Sequence, residues 1–141
     1  MADRPNILLI SMDQLRWDAL GCANNPVVKT PNIDRLAREG VRAEHFFVHS
    51  PMCQPSRASL VTGRYPRNNG VRWNWYDLPK SEKPLPAILG AAGYHTMAIG
   101  KMHFTPIDEL HGFDDRVFAE GKMFSDYDAY RESLREQGLD E

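Results

Sequence analysis

The residues best suited to chemistry lie in the run CQPSRASLVTG, residues 53–63. Ser56 is predicted to cap a short helix that ends at Gly63, which places Cys53 just ahead of the helix N-terminus. Free backbone N–H groups and the helix dipole favour anions there. Arg57 can reach back from the first turn as a fixed cation. A nucleophile beside a cation suits an oxyanion ester such as a sulfate or a phosphate; the alternative is an inert cysteine in an ordinary loop.

A second candidate is the segment Gly-Lys-Met-His-Phe at residues 100–104, which follows a predicted strand. Side chains alternate along an extended segment, so Lys101 and His103 are predicted to face the same side and the same anion. Lysine supplies a fixed charge, and histidine exchanges protons near neutral pH. The alternative is a solvated strand end.

A third candidate is the pair Asp13–Gln14, which follows the apolar run 6–12. The run is typical of a buried parallel strand, and ligand-binding residues collect at the carboxyl ends of such strands. A carboxylate leaving a buried strand is costly unless it is paired or bound to a metal. Asp13 is therefore a candidate metal ligand, and the alternative is that it caps a helix beginning near Leu15.

The elements that must position these residues follow an alternating pattern. We predict strands at 6–12, 41–48 and 94–99, and helices at 30–40 and 85–92. Alternating strands and helices imply right-handed crossovers, and hence an α/β fold with a mostly parallel sheet and flanking helices. The stretch 65–83 is predicted to be an irregular surface segment, and 125–137 to be charged and helix-like.

Composition narrows the function classes. The 141 residues are 42% apolar with a net charge of −2, enough for one modest core and without the basic stripe that nucleic-acid binding needs. We expect no membrane span, since no apolar run is long enough. Two cysteines, Cys22 and Cys53, form no disulfide framework. The start Met-Ala-Asp-Arg-Pro lacks a signal-peptide layout, and we therefore expect a cytoplasmic protein.

Four motifs in order resemble those of the type I sulfatases, a family of the alkaline-phosphatase superfamily. They are Asp13–Gln14, the helix start TPNIDRL at 30–36, the C-x-P-S-R…L-x-T-G pattern at 53–63, and G-K-x-H at 100–103. Asp-Gln in place of Asp-Asp is similar to the choline-sulfatase and phosphonate monoester hydrolase branches. The resemblance implies an alkaline-phosphatase-like fold and a sulfuric ester hydrolase whose cysteine is oxidised to formylglycine by a maturation enzyme.

The resemblance also implies a role for each matching residue. The implied catalytic residues are Cys53, Arg57, Lys101 and His103; the implied substrate contacts are Lys101, His103 and Asn74; and the implied metal ligands are Asp13, Gln14 and the modified Cys53. The metal is expected to be Ca²⁺, with Mn²⁺ or Zn²⁺ as alternatives. The expected partner is a small anionic sulfate ester, with no nucleic acid and no membrane, and an oligomer is compatible with the sequence.

Length is informative as well, because the sulfatases that the chain resembles run to several hundred residues. Residues 1–141 are therefore interpreted as the N-terminal portion of a sulfatase catalytic domain, with an incomplete sheet and no activity in isolation. Two alternatives stay open: a phosphonate monoester or phosphodiester hydrolase with the same nucleophile, and an inactive fragment or binding module. The sequence leaves open the alcohol of the substrate, the metal, the oligomeric state and whether Cys53 is modified.

Overall fold

The computed structural model describes residues 4–121 and 128–139, and it divides the chain into two compact units, Met1–Phe46 and Phe47–Glu141. The first unit contains a 3-10 helix, Gly21–Ala23, and the helix α1, Pro31–Glu39. The second contains α2 (Cys53–Thr62), α3 (Pro66–Asn69), α4 (Leu85–Ala91), β1 (Met97–Gly100), β2 (Asp115–Phe118) and α5 (Ala129–Glu136). None of the helices described is long and apolar enough to cross a membrane.

The helix predicted at 30–40 is confirmed as α1, but its cap works differently from the usual one. Thr30 holds the N-cap position and its carbonyl accepts the Asp34 N–H at 2.8 Å, but its side chain bonds no helical N–H group. Its hydroxyl instead donates to Asp34 Oδ1 at 2.8 Å and accepts the Gly21 N–H at 2.8 Å. The Cys22 N–H also donates to Asp34 Oδ1, at 2.7 Å. Asp34 thereby joins the first turn of α1 to the 3-10 helix.

The prediction of strands at 6–12 and 41–48 is wrong, because the structure describes both segments and neither forms a strand. Both segments lie outside regular structure, and many of their apolar side chains are exposed, with Leu8 at 83%. A strand exists only where a neighbour accepts its backbone hydrogen bonds. The single sheet described pairs β1 with β2 and offers these segments no partner.

The helix predicted with Ser56 as its N-cap begins four residues earlier, at Cys53. Met52 is the N-cap, with extended backbone, and its carbonyl accepts the Ser56 N–H at 3.0 Å. Ser56 is therefore inside the helix and is not its cap. The predicted stop is confirmed, because Gly63 follows α2 in the left-handed conformation, φ 65°.

The core of the second unit forms where α2 meets the segment that follows it. Ala58, Val71 and Leu78 are its buried apolar cluster. The predicted irregular stretch 65–83 contains the short helix α3, whose Asn69 is 1% exposed. Asn69 Oδ1 accepts the Val71 N–H at 2.9 Å, which fixes the chain as it turns back towards α2.

The two described strands run parallel, as an α/β fold requires. Residues pair from Met97 opposite Asp115 to Gly100 opposite Phe118. The strand predicted at 94–99 is thus present in part, and the helix predicted at 85–92 is confirmed as α4. The sequence did not predict β2. Of the helix-like stretch 125–137, residues 125–127 lie outside those described, and α5 accounts for most of the remainder.

Candidate active site

Two of the predicted site residues meet at the N-terminus of α2. Cys53 is the first residue of the helix and is half-buried. Its Sγ lies 4.0 Å from Asn74 Oδ1, and the same oxygen accepts the Gln54 N–H at 3.4 Å. The free N–H groups of a first helical turn attract negatively charged groups. The structure therefore places the thiol and an amide side chain together at an anion-favouring position.

Gln54 holds this arrangement together. Its side chain is 1% exposed and uses both donors and its acceptor. Nε2 donates to the Tyr76 carbonyl at 2.6 Å and to Thr105 Oγ1 at 3.0 Å, and Oε1 accepts the Trp75 N–H at 2.5 Å. One buried amide thereby joins the start of α2 to two segments, the loop that carries Asn74 and the chain that follows Lys101 to His103.

Arg57 connects α2 to the second motif. It lies one helical turn after Cys53, and its Nη1 donates to the Lys101 carbonyl at 2.6 Å. Both residues are half-buried. A charge-assisted hydrogen bond of this length restrains both partners. The guanidinium group therefore anchors the backbone of the Lys-x-His segment as well as bringing positive charge near α2.

The strand does not continue through Lys101 to His103, so the alternation used to predict a common face is not maintained up to His103. The strand β1 ends at Gly100, φ 92°, and His103 has φ 54°. The His103 side chain is buried, with its ring centroid 6.3 Å from that of Trp75 in an edge-to-face arrangement. That Lys101 and His103 act on one anion stays a prediction.

The predicted metal ligands Asp13 and Gln14 lie in the first unit, where both are exposed. They form a turn and Gln14 has φ 55°, so the alternative that Asp13 caps a helix near Leu15 is wrong. A carboxylate and an amide oxygen suit a hard divalent cation, but Ca²⁺ takes six to eight oxygens. Among the residues described, no group of three or more His, Cys, Asp or Glu is gathered. These donors fit such an ion in kind and supply only part of its shell.

Sequence reasoning missed two residues that organise the second unit's site. Gln54 stands at the variable position of the C-x-P-S-R pattern, where only its burial distinguishes it. Glu120, which binds the backbone of Met102 and His103, carries no motif at all. The one feature in the sequence that could have drawn attention to Gln54 is that it is a polar residue next to Cys53. No comparable feature marks Glu120.

Comparison with known proteins gives a consistent result. The model of the family described as Sulfatase matches residues 5–139. Human N-acetylgalactosamine-6-sulfatase is 39% identical over 143 residues, covering 88% of this chain and 27% of its own length. The phosphonate monoester hydrolase of Agrobacterium radiobacter is 30% identical with a TM-score of 0.80, covering 96% and 29%. BT4656, solved with its substrate D-glucosamine-2-N,6-O-disulfate, is 34% identical with a TM-score of 0.69, covering 74% and 21%.

These likenesses confirm the predicted fold class, α/β with an alkaline-phosphatase-like architecture. The chain spans about a quarter of the length of the relatives that it matches.

Proposed function

Since this chain belongs to the sulfatase family, we propose that it forms the N-terminal portion of a catalytic domain that hydrolyses a sulfate ester. The observation that carries the proposal is the geometry at the start of α2. A half-buried cysteine occupies the first helical position, an amide oxygen lies 4.0 Å from its sulfur, and an arginine one turn later is bonded to the Lys-x-His segment. These contacts support a nucleophile at an anion-favouring helix N-terminus, with Arg57 on the same helix and bonded to the segment that carries Lys101.

Cys53 is the proposed nucleophile. After oxidation by a maturation enzyme its side chain becomes formylglycine, whose hydrated aldehyde supplies a hydroxyl group able to attack sulfur. The chain's own contribution is to hold that side chain still. The helix fixes the backbone of Cys53. The Asn74 side chain lies beside its Sγ and limits where that side chain can move.

The positive charges are proposed to stabilise the anion as its bond to the alcohol breaks. Arg57 and Lys101 each bring a permanent charge, and preorganised charges act strongly where water is excluded. His103 is proposed to orient the sulfate group or to move a proton, and Asn74 to contact the substrate. The buried Gln54 amide keeps the segments bearing these groups in register with α2.

A divalent cation is proposed to be held by Asp13, Gln14 and the modified Cys53, with Ca²⁺ preferred and Mn²⁺ or Zn²⁺ as alternatives. When bound, it would offset negative charge and raise the acidity of the attacking hydroxyl. The oxygen donors of Asp13 and Gln14 match the preference of Ca²⁺, and the remaining ligands would come from other parts of the enzyme.

A second candidate is a phosphonate monoester or phosphodiester hydrolase with the same nucleophile. The Asp13–Gln14 pair and the likeness to the Agrobacterium radiobacter enzyme favour it. The substrate bound to BT4656 favours a sulfate ester. The cytoplasmic location, the oligomeric state and the non-catalytic alternative stay predictions without further support.

The decisive experiment starts with the mass of the Cys53 peptide, which conversion to formylglycine lowers by about 18 daltons. The complete protein is then assayed on matched sulfate ester, phosphonate monoester and phosphodiester substrates. Cys53→Ala and Cys53→Ser should lower turnover by several orders of magnitude, since the covalent route is lost. Cys22→Ala is the matched control and should keep its activity, because Cys22 matches no catalytic motif and the hydrogen bonds described for it are made by its backbone N–H and carbonyl.

Lysine and arginine variants test the charges separately. Lys101→Ala should cost about 2–4 kcal/mol of transition-state stabilisation, the scale of one lost oxyanion partner. Arg57→Lys should stay strongly impaired, since a point charge does not reproduce the planar guanidinium fork. Near-normal turnover in Cys53→Ala, or faster hydrolysis of the phosphodiester than of the sulfate ester, would contradict the proposal.

A further inference from the structure

We propose that Glu120 is a positioning residue that holds the Lys101–His103 segment in its working conformation. The proposal rests on the proposed function, because it assigns Glu120 a role in presenting Lys101 and His103 to the anion. The observation behind it is a buried carboxylate, 4% exposed, that binds two consecutive backbone N–H groups of that segment.

The contacts are specific. Glu120 Oε1 accepts the Met102 N–H at 2.8 Å and the His103 N–H at 2.8 Å, and Oε2 lies 3.0 Å from the same His103 nitrogen. Hydrogen bonds to an ionised acceptor are about twice as strong as neutral ones. The carboxylate therefore fixes the peptide groups on both sides of Met102, between the two proposed anion contacts.

The parallel sheet brings the carboxylate to this place. Gly100 of β1 pairs with Phe118 of β2, and the Ala119 N–H donates to the Gly100 carbonyl at 3.3 Å, so the chains leave the two strands side by side, with Met102 and Glu120 each two residues beyond the last pair. Neither strand extends that far, and the Glu120 side chain takes over the hydrogen bonding where the ladder ends. The position of Glu120 thus follows from the strand pairing.

The segment needs such support because its backbone is strained. His103 has φ 54°, a left-handed conformation that costs a non-glycine residue free energy. Two successive backbone N–H groups that converge on one point form an anion-binding concavity. The carboxylate of Glu120 accepts both the Met102 and His103 N–H groups and so stabilises this backbone conformation, while Arg57 holds the Lys101 carbonyl from α2.

Arg116 keeps the carboxylate in place. Its side chain is 3% exposed, and its Nη2 lies 3.8 Å from Glu120 Oε1. Its Nη1 donates to the carbonyls of Ile107 and Glu109, and its guanidinium carbon lies 5.2 Å from the centre of the Phe118 ring. The buried guanidinium group therefore lies beside the buried carboxylate and limits its freedom to move.

The test compares Glu120→Gln with Asp128→Asn in the complete protein. Gln keeps the size and one acceptor oxygen but loses the charge. Asp128 is a matched control, because it is also 4% exposed and accepts backbone N–H groups, those of Gly121, Tyr130 and Arg131, without touching the segment. Both substitutions are also made in a Lys101→Ala/His103→Ala background.

In the otherwise unchanged protein, Glu120→Gln should lower kcat/KM roughly tenfold or more, mostly through kcat, and Asp128→Asn should change it less than about twofold. In the double-alanine background Glu120→Gln should change kcat/KM less than about twofold, because the groups it positions are gone. Hydrogen exchange at the Met102 and His103 amides should accelerate in Glu120→Gln and stay unchanged in Asp128→Asn.

Equal losses from Glu120→Gln in both backgrounds would overturn the proposal, since they would show a general structural effect. Unchanged exchange at the Met102 and His103 amides would also overturn it, whatever the kinetics. An unmodified Cys53 with no hydrolysis by the wild-type protein would overturn the proposed function itself. Activity in the wild-type protein combined with additive losses would overturn the role of Glu120 alone.

Discussion

Replacing Gln54 with methionine should destabilise the second unit even though the side-chain volume hardly changes. Three hydrogen bonds are lost, to the Tyr76 carbonyl, Thr105 Oγ1 and the Trp75 N–H. Each contributes about 1 kcal/mol net, and a backbone group left unsatisfied costs up to about 3 kcal/mol. A volume-conserving change by itself costs less than about 1.5 kcal/mol. We therefore expect the free energy of unfolding to fall by about 2–4 kcal/mol.

Urea denaturation provides the measurement, with the midpoint and the slope fitted separately. Gln137→Met is the control, because Gln137 is exposed and the hydrogen bonds described for its side chain go to Ser133 alone. It should change the free energy of unfolding by less than about 0.5 kcal/mol. A Gln54→Met protein as stable as the control would refute the idea that this amide joins α2 to the two segments beside it.

Three further outcomes are expected. Gly112→Ala should lower the free energy of unfolding by about 2–4 kcal/mol, because φ is 86° and the new Cβ would lie 2.9 Å from that of Ala87. Gly63→Ala, at φ 65° with open space around the new Cβ, should cost about 1 kcal/mol in the same urea titration. Burial lowers the pKa of His111, so the neutral ring's contribution is complete above about pH 6.5 and is lost as pH falls below it. Urea midpoints of His111→Gln between about pH 7 and pH 5 should lack that loss; an equal loss would contradict this assignment. Calorimetric titration of the 141-residue chain should show weak Ca²⁺ binding, since Asp13 supplies the one carboxylate proposed as a ligand, and tight binding would contradict this expectation.

The sequence by itself determined the features that depend on neighbouring residues. The start of α1 after Thr30 and the left-handed stop of α2 at Gly63 were predictable, because proline at the first helical position and glycine just after the last one act within one turn. The order of motifs around Cys53 and Lys101 was readable for the same reason. Each motif is a short run whose residue types carry their own meaning.

Tertiary structure decided what depends on residues far apart in the chain. The apolar runs 6–12 and 41–48 have strand composition, but strand formation requires a partner that composition does not provide. The four residues of β2 alternate too briefly to be recognised, and they form a strand because β1 lies beside them. Glu120 reaches Met102 just beyond that pairing. The two positions are eighteen residues apart, so no local pattern could join them, and the pairing of the two strands brings them together.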